Sequence, residues 1–337
     1  MTTKVGINGF GRIGRLTLRT ILQYHRHDLE VTVVNDLTDA KTNAHLLKWD
    51  SNYGGYPGTV EVRDGSIVVD GSPIVVLSER DPAKINWREH GVDIVIESTG
   101  LFTDATKAVA HKEGGARKVL ISSPAHNEDK TIVLGVNEGE YDPSKHHVIS
   151  NASCTTNGIA PLVKVLHERF GINKGLMTTV HAYTNDQRIL DLAHRDLRRA
   201  RAAALSIIPT TTGAARLVGE LIPDLKGKVH GIALRVPVST VSIVDFVAEL
   251  KRDVTAVEVK GVFKETAAGA LKGIVEYCDE ELVSIDFKGN RASAIFDASS
   301  TMVIGGNMVK VFAWYDNEWG YSCRLGDLAA FVAGKGF

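Results

Sequence analysis

The feature that most constrains the fold is a glycine-rich turn at residues 9–14, which reads Gly-Phe-Gly-Arg-Ile-Gly. It follows an apolar, β-branched segment at residues 4–8 and opens a segment with helical apolar spacing at residues 12–25. In such a unit the first glycine allows the tight turn, the second lets a pyrophosphate approach the backbone, and the third lets the helix pack on the strand. The N–H groups at the start of the helix then face the phosphates. The residues expected in this dinucleotide site are Gly9, Gly11, Arg12, Ile13 and Gly14.

An acidic residue, Asp36, ends the next apolar segment, residues 31–36. Its distance from the glycine turn matches that of the acidic residue that binds the ribose of a dinucleotide. A carboxylate accepts hydrogen bonds from the ribose hydroxyls and repels a 2′-phosphate, so the pattern favours NAD over NADP. The alternative is a plain strand–helix turn with a capping aspartate.

The remaining pattern predicts two domains of different construction. The first half has short, nearly continuous apolar segments at residues 31–36, 92–98 and 117–122, which are typical of a parallel sheet covered on both faces. After about residue 150, longer segments alternate between apolar and polar residues, which indicates an antiparallel or mixed sheet. We therefore predict an α/β protein: a Rossmann-type doubly wound parallel sheet domain plus an α+β catalytic domain with a large, mostly antiparallel sheet. The expected bounds are 1–153 for the first domain, with a C-terminal helix at about 318–337 packing back on it, and 154–317 for the second.

Composition excludes several classes of protein. The 39 basic and 40 acidic residues give a net charge of −1, which argues against nucleic acid or a membrane as the primary partner. No apolar run reaches the ~20 residues that span a bilayer, and the N-terminal residues are not typical of a signal peptide. The three cysteines, Cys154, Cys278 and Cys323, are far apart, so they predict no disulfide framework and no metal site. The sequence thus predicts a soluble, cytoplasmic protein.

One of these cysteines stands out by its surroundings. Cys154 lies in the segment Ser-Asn-Ala-Ser-Cys-Thr-Thr-Asn, between a short apolar strand and a helix at 155–170. A cysteine at a helix N-terminus is expected to have a lowered pKa. Pro161 is expected to kink this helix unless the helix begins later. His181, in an apolar strand, is a candidate base; the alternatives are an inert thiol and a histidine of the core, and the spacing does not decide whether the two side chains touch.

Nine motifs in this order resemble the phosphorylating glyceraldehyde-3-phosphate dehydrogenase family, over essentially the whole chain. They are KVGINGFGRIGR, VVNDLTD, ESTGLF, SNASCTTN, HAYTNDQR, DLRRARAAA, IPTTTGAA, LRVPV and WYDNEWGYS. The resemblance implies NAD-dependent oxidation of D-glyceraldehyde 3-phosphate to 1,3-bisphosphoglycerate, through a cysteine thiohemiacetal and a thioester that inorganic phosphate cleaves. It also implies a homotetramer.

The same resemblance implies roles for individual residues. Cys154 matches the nucleophile and His181 the acid/base residue. The positions that match the site for the substrate C3 phosphate are Thr184, Asp186 and Arg235. Those that match the site for the attacking phosphate are Ser153, Thr155, Thr212 and Gly213. Further matches are Arg199, at a position associated with anions, and the cofactor residues Ser122 and Asn317, the latter orienting the nicotinamide carboxamide.

Departures from the family pattern leave some points open. Ala193 stands where NAD-specific members commonly have proline, but Asp36 and Leu192 are present, so we expect a preference for NAD without strict exclusion of NADP. Cys323 stands where many relatives have asparagine, and nothing marks it as reactive. Two other functions remain as alternatives: an erythrose-4-phosphate dehydrogenase on the same scaffold, and a nucleotide-binding or RNA-binding module without catalysis.

Overall fold

The structure, a computed structural model, describes residues 2–337. Its contacts divide the chain into two compact units. Unit 1 comprises residues 2–132, 138–152 and 322–337, and unit 2 comprises residues 133–137 and 153–321. Among the described residues, no helix is both long and apolar enough to cross a membrane.

Unit 1 contains one large sheet and the helices around it. Its strands are β1 (Thr3–Asn8), β2 (Leu29–Asn35), β3 (Trp49–Asp50), β4 (Gly54–Gly55), β5 (Val60–Arg63), β6 (Ser66–Val69), β7 (Ser72–Leu77), β8 (Ile94–Glu97), β9 (Lys118–Ile121), β10 (Lys130–Thr131) and β11 (Val148–Ser150). Its helices are α1 (Arg12–Tyr24), α2 (Ala40–Lys48), α3 (Ala105–Ala108) and α4 (Ala110–Glu113).

The nine strands of the large sheet lie in the order β10-β11-β9-β8-β1-β2-β7-β6-β5. All pairs from β10 to β7 are parallel, and β7, β6 and β5 are joined antiparallel. The chain leaves β1 toward β2 on one side and returns to β8 on the other. The carboxyl end of β1 is therefore the point where the strand order reverses, which is where open α/β sheets bind ligands. The predicted doubly wound parallel sheet is confirmed.

One segment of unit 1 differs from its prediction. The two Asp-Gly pairs within residues 59–77 predict an inserted hairpin, whereas these residues form three strands. Two-residue turns with positive φ join them, at Asp64-Gly65 (50° and 76°) and Asp70-Gly71 (49° and 84°), as the twist of antiparallel strands requires. The third strand, β7, also pairs in parallel with β2 and so extends the main sheet.

The last helix, α8 (Trp319–Lys335), lies mostly in unit 1. Its apolar residues Leu325, Leu328 and Val332 recur at helical spacing and are completely buried. The α1 helix and His25, which follows it, make polar contacts with α8 as well. Thr20 Oγ1 donates to Ser322 O at 3.2 Å, and His25 Nε2 lies 2.5 Å from Asp327 Oδ1.

Unit 2 is built on a seven-stranded mixed sheet in the order β13-β14-β12-β15-β18-β17-β16. Its elements are α5 (Cys154–Phe170), β12 (Ile172–Ala182), β13 (Ile208–Thr211), α6 (Ala214–Leu221), β14 (Val229–Val236), β15 (Ser242–Leu250), α7 (Ala256–Ala268), β16 (Val275–Cys278), β17 (Ala294–Ile304) and β18 (Met308–Tyr315). The pairs β12–β14 and β16–β17 are parallel and the other four are antiparallel. This confirms the predicted mostly antiparallel sheet.

Candidate active site

A cavity of about 430 Å³ opens in unit 1 at the carboxyl ends of β1, β2 and β8. Its size is in the range of ligand pockets, and it lies at the reversal point of the strand order. Its lining includes Gly9, Gly11, Asn35, Asp36 and Thr99.

Three glycines around this cavity, Gly9, Gly11 and Gly14, meet three different structural requirements. Gly9 has a φ of +89°, and a Cβ there would lie 2.6 Å from the N of Thr99. A Cβ on Gly14 would lie 2.2 Å from the O of Gly9. At Gly11, by contrast, no atom of the described residues lies within 4 Å of the Cβ position, apart from its immediate neighbours in the chain. Gly11 is the N-cap of α1 and has no side chain to bond the first N–H groups, so the space in front of this helix end fits a pyrophosphate.

Asp36 lines the same cavity, and two backbone hydrogen bonds fix the orientation of its carboxylate. Its Oδ2 accepts a hydrogen bond from Phe10 N at 2.8 Å, and its Oδ1 accepts one from Thr38 N at 2.9 Å. A carboxylate oxygen has two lone-pair sites, so each can also accept a hydrogen bond from a ribose hydroxyl. The residues present therefore fit the dinucleotide that the sequence predicts.

Two other predicted cofactor residues are used differently. Arg12 Nη1 donates to Asp50 Oδ2 at 2.8 Å, so its side chain points to an acidic partner. Ser122 directly follows β9, and its backbone N donates to Glu97 O at 2.9 Å, at the carboxyl edge of the sheet.

In unit 2, the candidate nucleophile is the first residue of α5. Ser153 is the N-cap, and its Oγ accepts a hydrogen bond from Thr156 N at 3.0 Å. Cys154 follows, and its Sγ lies 3.5 Å from Nε2 of His181 at the end of β12. The helix runs from Cys154 through Pro161 to Phe170, so the proline lies inside the helix and not in its first turn. Burial of the whole turn around the proline outweighs the lost backbone hydrogen bond.

His181 has two competing partners for one ring nitrogen. Its Nδ1 lies 2.6 Å from Ala182 O, to which it can donate, and 2.7 Å from Arg235 Nη1, from which it can accept. Burial, followed by the charge of Arg235, lowers the pKa of His181 to about 3. At neutral pH the imidazole is therefore uncharged and can accept a proton.

The thiol does not have the lowered pKa that the helix N-terminus predicts. Burial raises the pKa of Cys154 above its ordinary value, although Arg235 and bonds to Thr155 act in the opposite direction. Loss of solvation thus outweighs the helix end and the nearby cation. The thiolate must then be formed by transfer of the thiol proton, and His181 is in contact to receive it.

Three buried hydroxyl groups surround this pair, and sequence reasoning identified only one. Tyr315 OH lies 3.0 Å from Thr155 Oγ1 and 2.8 Å from Thr179 Oγ1, and its ring packs edge-on against His181. Burial raises the pKa of Tyr315, so the phenol remains protonated. Tyr315 and Thr179 were not predicted, because the alternation of apolar and polar residues along a strand indicates only which side chains face inward.

Asn317 is also oriented by a buried hydroxyl. Ala182 N donates to Ser242 Oγ at 3.0 Å, and Ser242 Oγ donates to Asn317 Oδ1 at 2.9 Å. Because the amide oxygen is the acceptor, the amide Nδ2 is the group left to bind a carbonyl. Ser242, which sets this orientation, was not predicted.

The predicted phosphate residues fall into separate groups. Arg235 lies beside His181, and within residues 2–337 its buried Nε has no hydrogen-bond partner, which suits an anion. Arg199 is instead paired with Asp186, and its Nε donates to Thr210 Oγ1 at 2.8 Å. Of the others, Thr184 N donates to Gln187 Oε1, Thr212 Oγ1 accepts from Ala214 N, and Gly213 is the N-cap of α6.

Residues 2–337 contain no disulfide and no group of three or more His, Cys, Asp or Glu side chains placed to hold a metal ion. Cys278 is half-buried and Cys323 is buried.

Comparison with known proteins gives matches along the chain. A family model described as "Glyceraldehyde 3-phosphate dehydrogenase, NAD binding domain" matches residues 3–105, and one described as "Glyceraldehyde 3-phosphate dehydrogenase, C-terminal domain" matches residues 153–317. The chain is 61% identical over 336 residues to glyceraldehyde-3-phosphate dehydrogenase of Geobacillus stearothermophilus, with 100% of both chains covered. It is 60% identical to the protein of that name from Streptomyces coelicolor, with 99% of this chain and 100% of the relative covered. Glyceraldehyde-3-phosphate dehydrogenase 1 of Bacillus subtilis is 58% identical, with 100% of both chains covered.

Proposed function

The chain belongs to the glyceraldehyde 3-phosphate dehydrogenase family, and we propose that it oxidises D-glyceraldehyde 3-phosphate to 1,3-bisphosphoglycerate with NAD and inorganic phosphate. The observation that carries the chemistry is the 3.5 Å contact between Cys154 Sγ and His181 Nε2, beside an arginine with an unpaired Nε. The relatives named above do not favour the erythrose-4-phosphate alternative.

The first step follows from the protonation states of this pair. Neutral His181 takes the thiol proton at Nε2, and the thiolate of Cys154 adds to the aldehyde carbon. The imidazolium returns its proton to the new oxygen, which gives a thiohemiacetal. Burial disfavours both the free thiolate and the imidazolium, so the proton transfer accompanies addition of the sulfur to the aldehyde and no separated ion pair accumulates before it.

In the second step, His181 again acts as a base. It removes the hydroxyl proton of the thiohemiacetal as a hydride leaves carbon, and a thioester on Cys154 results. When bound, NAD supplies the hydride acceptor. Inorganic phosphate then attacks the thioester, which releases the acyl phosphate and regenerates the sulfur of Cys154. The net reaction releases one proton.

We assign the remaining residues by their surroundings. The cofactor is held by Gly9, Gly11, Arg12, Ile13, Gly14, Asp36, Ser122 and Asn317. Anion binding by Arg235 is supported by its buried, unpaired Nε. We assign Thr184 and Asp186 with Arg235 to the C3 phosphate, and Ser153, Thr155, Thr212 and Gly213 to the attacking phosphate. Arg199, which is paired with Asp186, places a positive charge near His181 and helps to lower the pKa of its imidazole.

Domain roles are part of the same proposal. Residues 1–153, with the helix at about 318–337, form the NAD-binding domain, and residues 154–317 form the catalytic domain. This division is supported by a cavity made entirely of unit 1 residues and a cysteine–histidine pair made entirely of unit 2 residues.

The oligomeric state and location are proposed as well. Leu176 and Ile232 lie on the unit 2 sheet and are 67% and 51% exposed, which favours a covering partner chain. We propose a homotetramer, and light scattering coupled to size-exclusion chromatography should give four times the chain mass. A cytoplasmic location is supported by the need of a reactive thiol for a reducing compartment, and cell fractionation tests it.

The experiment that tests the reaction is an NADH absorbance assay with D-glyceraldehyde 3-phosphate and NAD, with and without phosphate. With phosphate, NADH should form continuously. Without it, formation should stop after about one NADH per chain, because the thioester is not cleaved. Cys154→Ser should abolish NADH formation but retain NAD binding, and Cys278→Ser serves as the matched control. Sustained turnover without phosphate would contradict the phosphorolysis step, and an active Cys154→Ser variant would contradict the nucleophile.

A further inference from the structure

A second buried histidine, in unit 1, is not used by the reaction described above. His111 in α4 is completely buried, and Glu97 at the carboxyl end of β8 is 2% exposed. His111 Nε2 lies 3.0 Å from Glu97 Oε2. The same oxygen accepts a hydrogen bond from Asn8 Nδ2 at 2.5 Å, while Glu97 Oε1 accepts bonds from the backbone N, at 2.8 Å, and the hydroxyl of Thr99.

The direction of the hydrogen bonds of His111 is determined by one donor. Trp87 Nε1 lies 3.0 Å from His111 Nδ1, and an indole N–H can only donate. His111 Nδ1 must therefore be an acceptor, so the ring proton is on Nε2 and is donated to Glu97. The imidazole is neutral and the buried carboxylate is an ion with four donors around it, which is what a buried charge requires.

The same chain of hydrogen bonds reaches the wall of the unit 1 cavity. Asn8 donates its amide to Glu97, and its Oδ1 accepts from Asn35 Nδ2 at 2.7 Å. Asn35 Oδ1 in turn accepts from Glu79 N at 2.8 Å, and Asn35 Nδ2 donates to Glu79 O at 2.9 Å. Asn8, Asn35, Glu79 and Thr99 all line the cavity. The pair thus ties together the ends of β1, β2 and β8 and the segment after β7.

We propose that Glu97 and His111 are positioning residues for NAD: the buried pair holds the amides, hydroxyl and backbone that face the cofactor in their binding orientation. The proposal rests on the cofactor site assigned above. A carboxylate is needed because all four of its partners donate. An amide in its place would direct an NH₂ group at two of these donors and would turn Asn8, and through it Asn35, away from their present orientation.

The test compares Glu97→Gln with a control variant of another histidine–carboxylate pair of unit 1, which is partly buried. Asp327→Asn removes the charge beside His25 and Arg324, and none of these three residues lines the cavity. The dissociation constant of NAD is measured by calorimetry without substrate, so the readout does not depend on aldehyde oxidation. Thermal unfolding and the kinetic constants are measured on the same preparations.

For Glu97→Gln, we expect the dissociation constant of NAD to rise at least tenfold, while kcat at saturating NAD and the KM of glyceraldehyde 3-phosphate change less than threefold. Asp327→Asn should lower the unfolding temperature and leave NAD affinity unchanged. A fall in unfolding temperature for Glu97→Gln with NAD affinity within twofold of the native value would overturn the proposal, because the pair would then serve stability alone.

His111→Asn provides a second, milder variant if Glu97→Gln does not fold. It leaves the Trp87 N–H without its acceptor and Glu97 with three donors. We expect a three- to tenfold rise in the dissociation constant of NAD and a change in the emission of Trp87. Unchanged NAD affinity in this folded variant would overturn the proposal. A native chain that does not bind NAD would overturn the cofactor assignment itself.

Discussion

Units 1 and 2 each bury a histidine almost completely, and the two imidazoles have opposite surroundings. In unit 1, His111 accepts from an indole N–H at one nitrogen and donates to the Glu97 carboxylate at the other, so each nitrogen has a defined role. In unit 2, two groups compete for Nδ1 of His181, and its neighbour Arg235 is a cation with an unpaired Nε.

Burial alone therefore does not decide what a histidine does. The carboxylate beside His111 accepts the hydrogen bond that the imidazole N–H donates, so the network fixes the positions of its members and transfers no proton. The cation beside His181 destabilises the imidazolium and lowers its pKa to about 3, while burial raises the pKa of the thiol it faces. At neutral pH the proton of this pair therefore stays on the thiol, and the uncharged imidazole can take it when the sulfur adds to the substrate.

The sharpest way to break this comparison is to replace each histidine by asparagine. His181→Asn should lower kcat about 10²- to 10⁴-fold, because general acid–base catalysis is lost. His111→Asn should change kcat less than threefold and alter NAD affinity instead. Steady-state kinetics and NAD calorimetry on both variants are sufficient. Equal losses of kcat would show that the distinction between the two sites is wrong.

The pH dependence of the free energy of unfolding should reveal the lowered pKa of His181. The pKa of His181 is about 3 in the folded chain against an ordinary 6.5, so the unfolded state binds the proton first. The free energy of unfolding should therefore fall as pH decreases from 6.5 toward 3, by on the order of 4–5 kcal/mol from this group, with no contribution above about pH 7.

The measurement is denaturant unfolding from pH 7 to pH 4 on the native chain and on His181→Asn. Subtracting the two curves removes the contribution of the carboxylates that they share. The difference should disappear if the lowered pKa of His181 has no effect on folding.

Substitution of Asp36 tests the proposed cofactor site of unit 1. Asp36→Ala removes two charge-assisted acceptors from the cavity, which are worth about 1.5–3 kcal/mol each in general. We expect the ratio of kcat/KM for NAD to that for NADP to fall about 10- to 100-fold, with kcat for NAD nearly unchanged. Asp39→Ala, which removes the α2 N-cap, is the control. A native ratio below one would contradict the assigned NAD preference.

The smallest expected effect concerns two helix caps in unit 2. Ser153 caps α5 through Thr156 N, and Thr255 caps α7 through Glu258 N. Replacing either by alanine should lower the free energy of unfolding by about 1 kcal/mol. Only Ser153→Ala should also lower kcat, since α5 begins with Cys154. Loss of activity in Thr255→Ala would show that stability, and not the position of the thiol, controls the rate.

The features predicted from sequence are those that depend on close neighbours in the chain. The turn at residues 9–14, the cap-and-cysteine start of α5 and the alternation of the long strands depend on backbone geometry over a few residues. Asp36 could be predicted because the acidic residue of a dinucleotide-binding unit lies about 20 residues after the glycine turn. The segment at 59–77 was only partly predicted, since pairing of β7 with β2 depends on which sheet edge is open.

The sequence by itself determined the type of fold, the glycine turn, and the position of Cys154 at a helix start, because these need only local conformational preferences. The tertiary structure alone decided that Cys154 meets His181, that Arg235 lies beside this imidazole although it is 54 positions away in the chain, and that Glu97 and His111 pair behind residues that line the unit 1 cavity. It also reversed the expected pKa of the thiol. The reason is that hydrogen-bond partners across strands and the loss of solvation depend on the whole packed unit, whereas a helix end depends on one turn of chain.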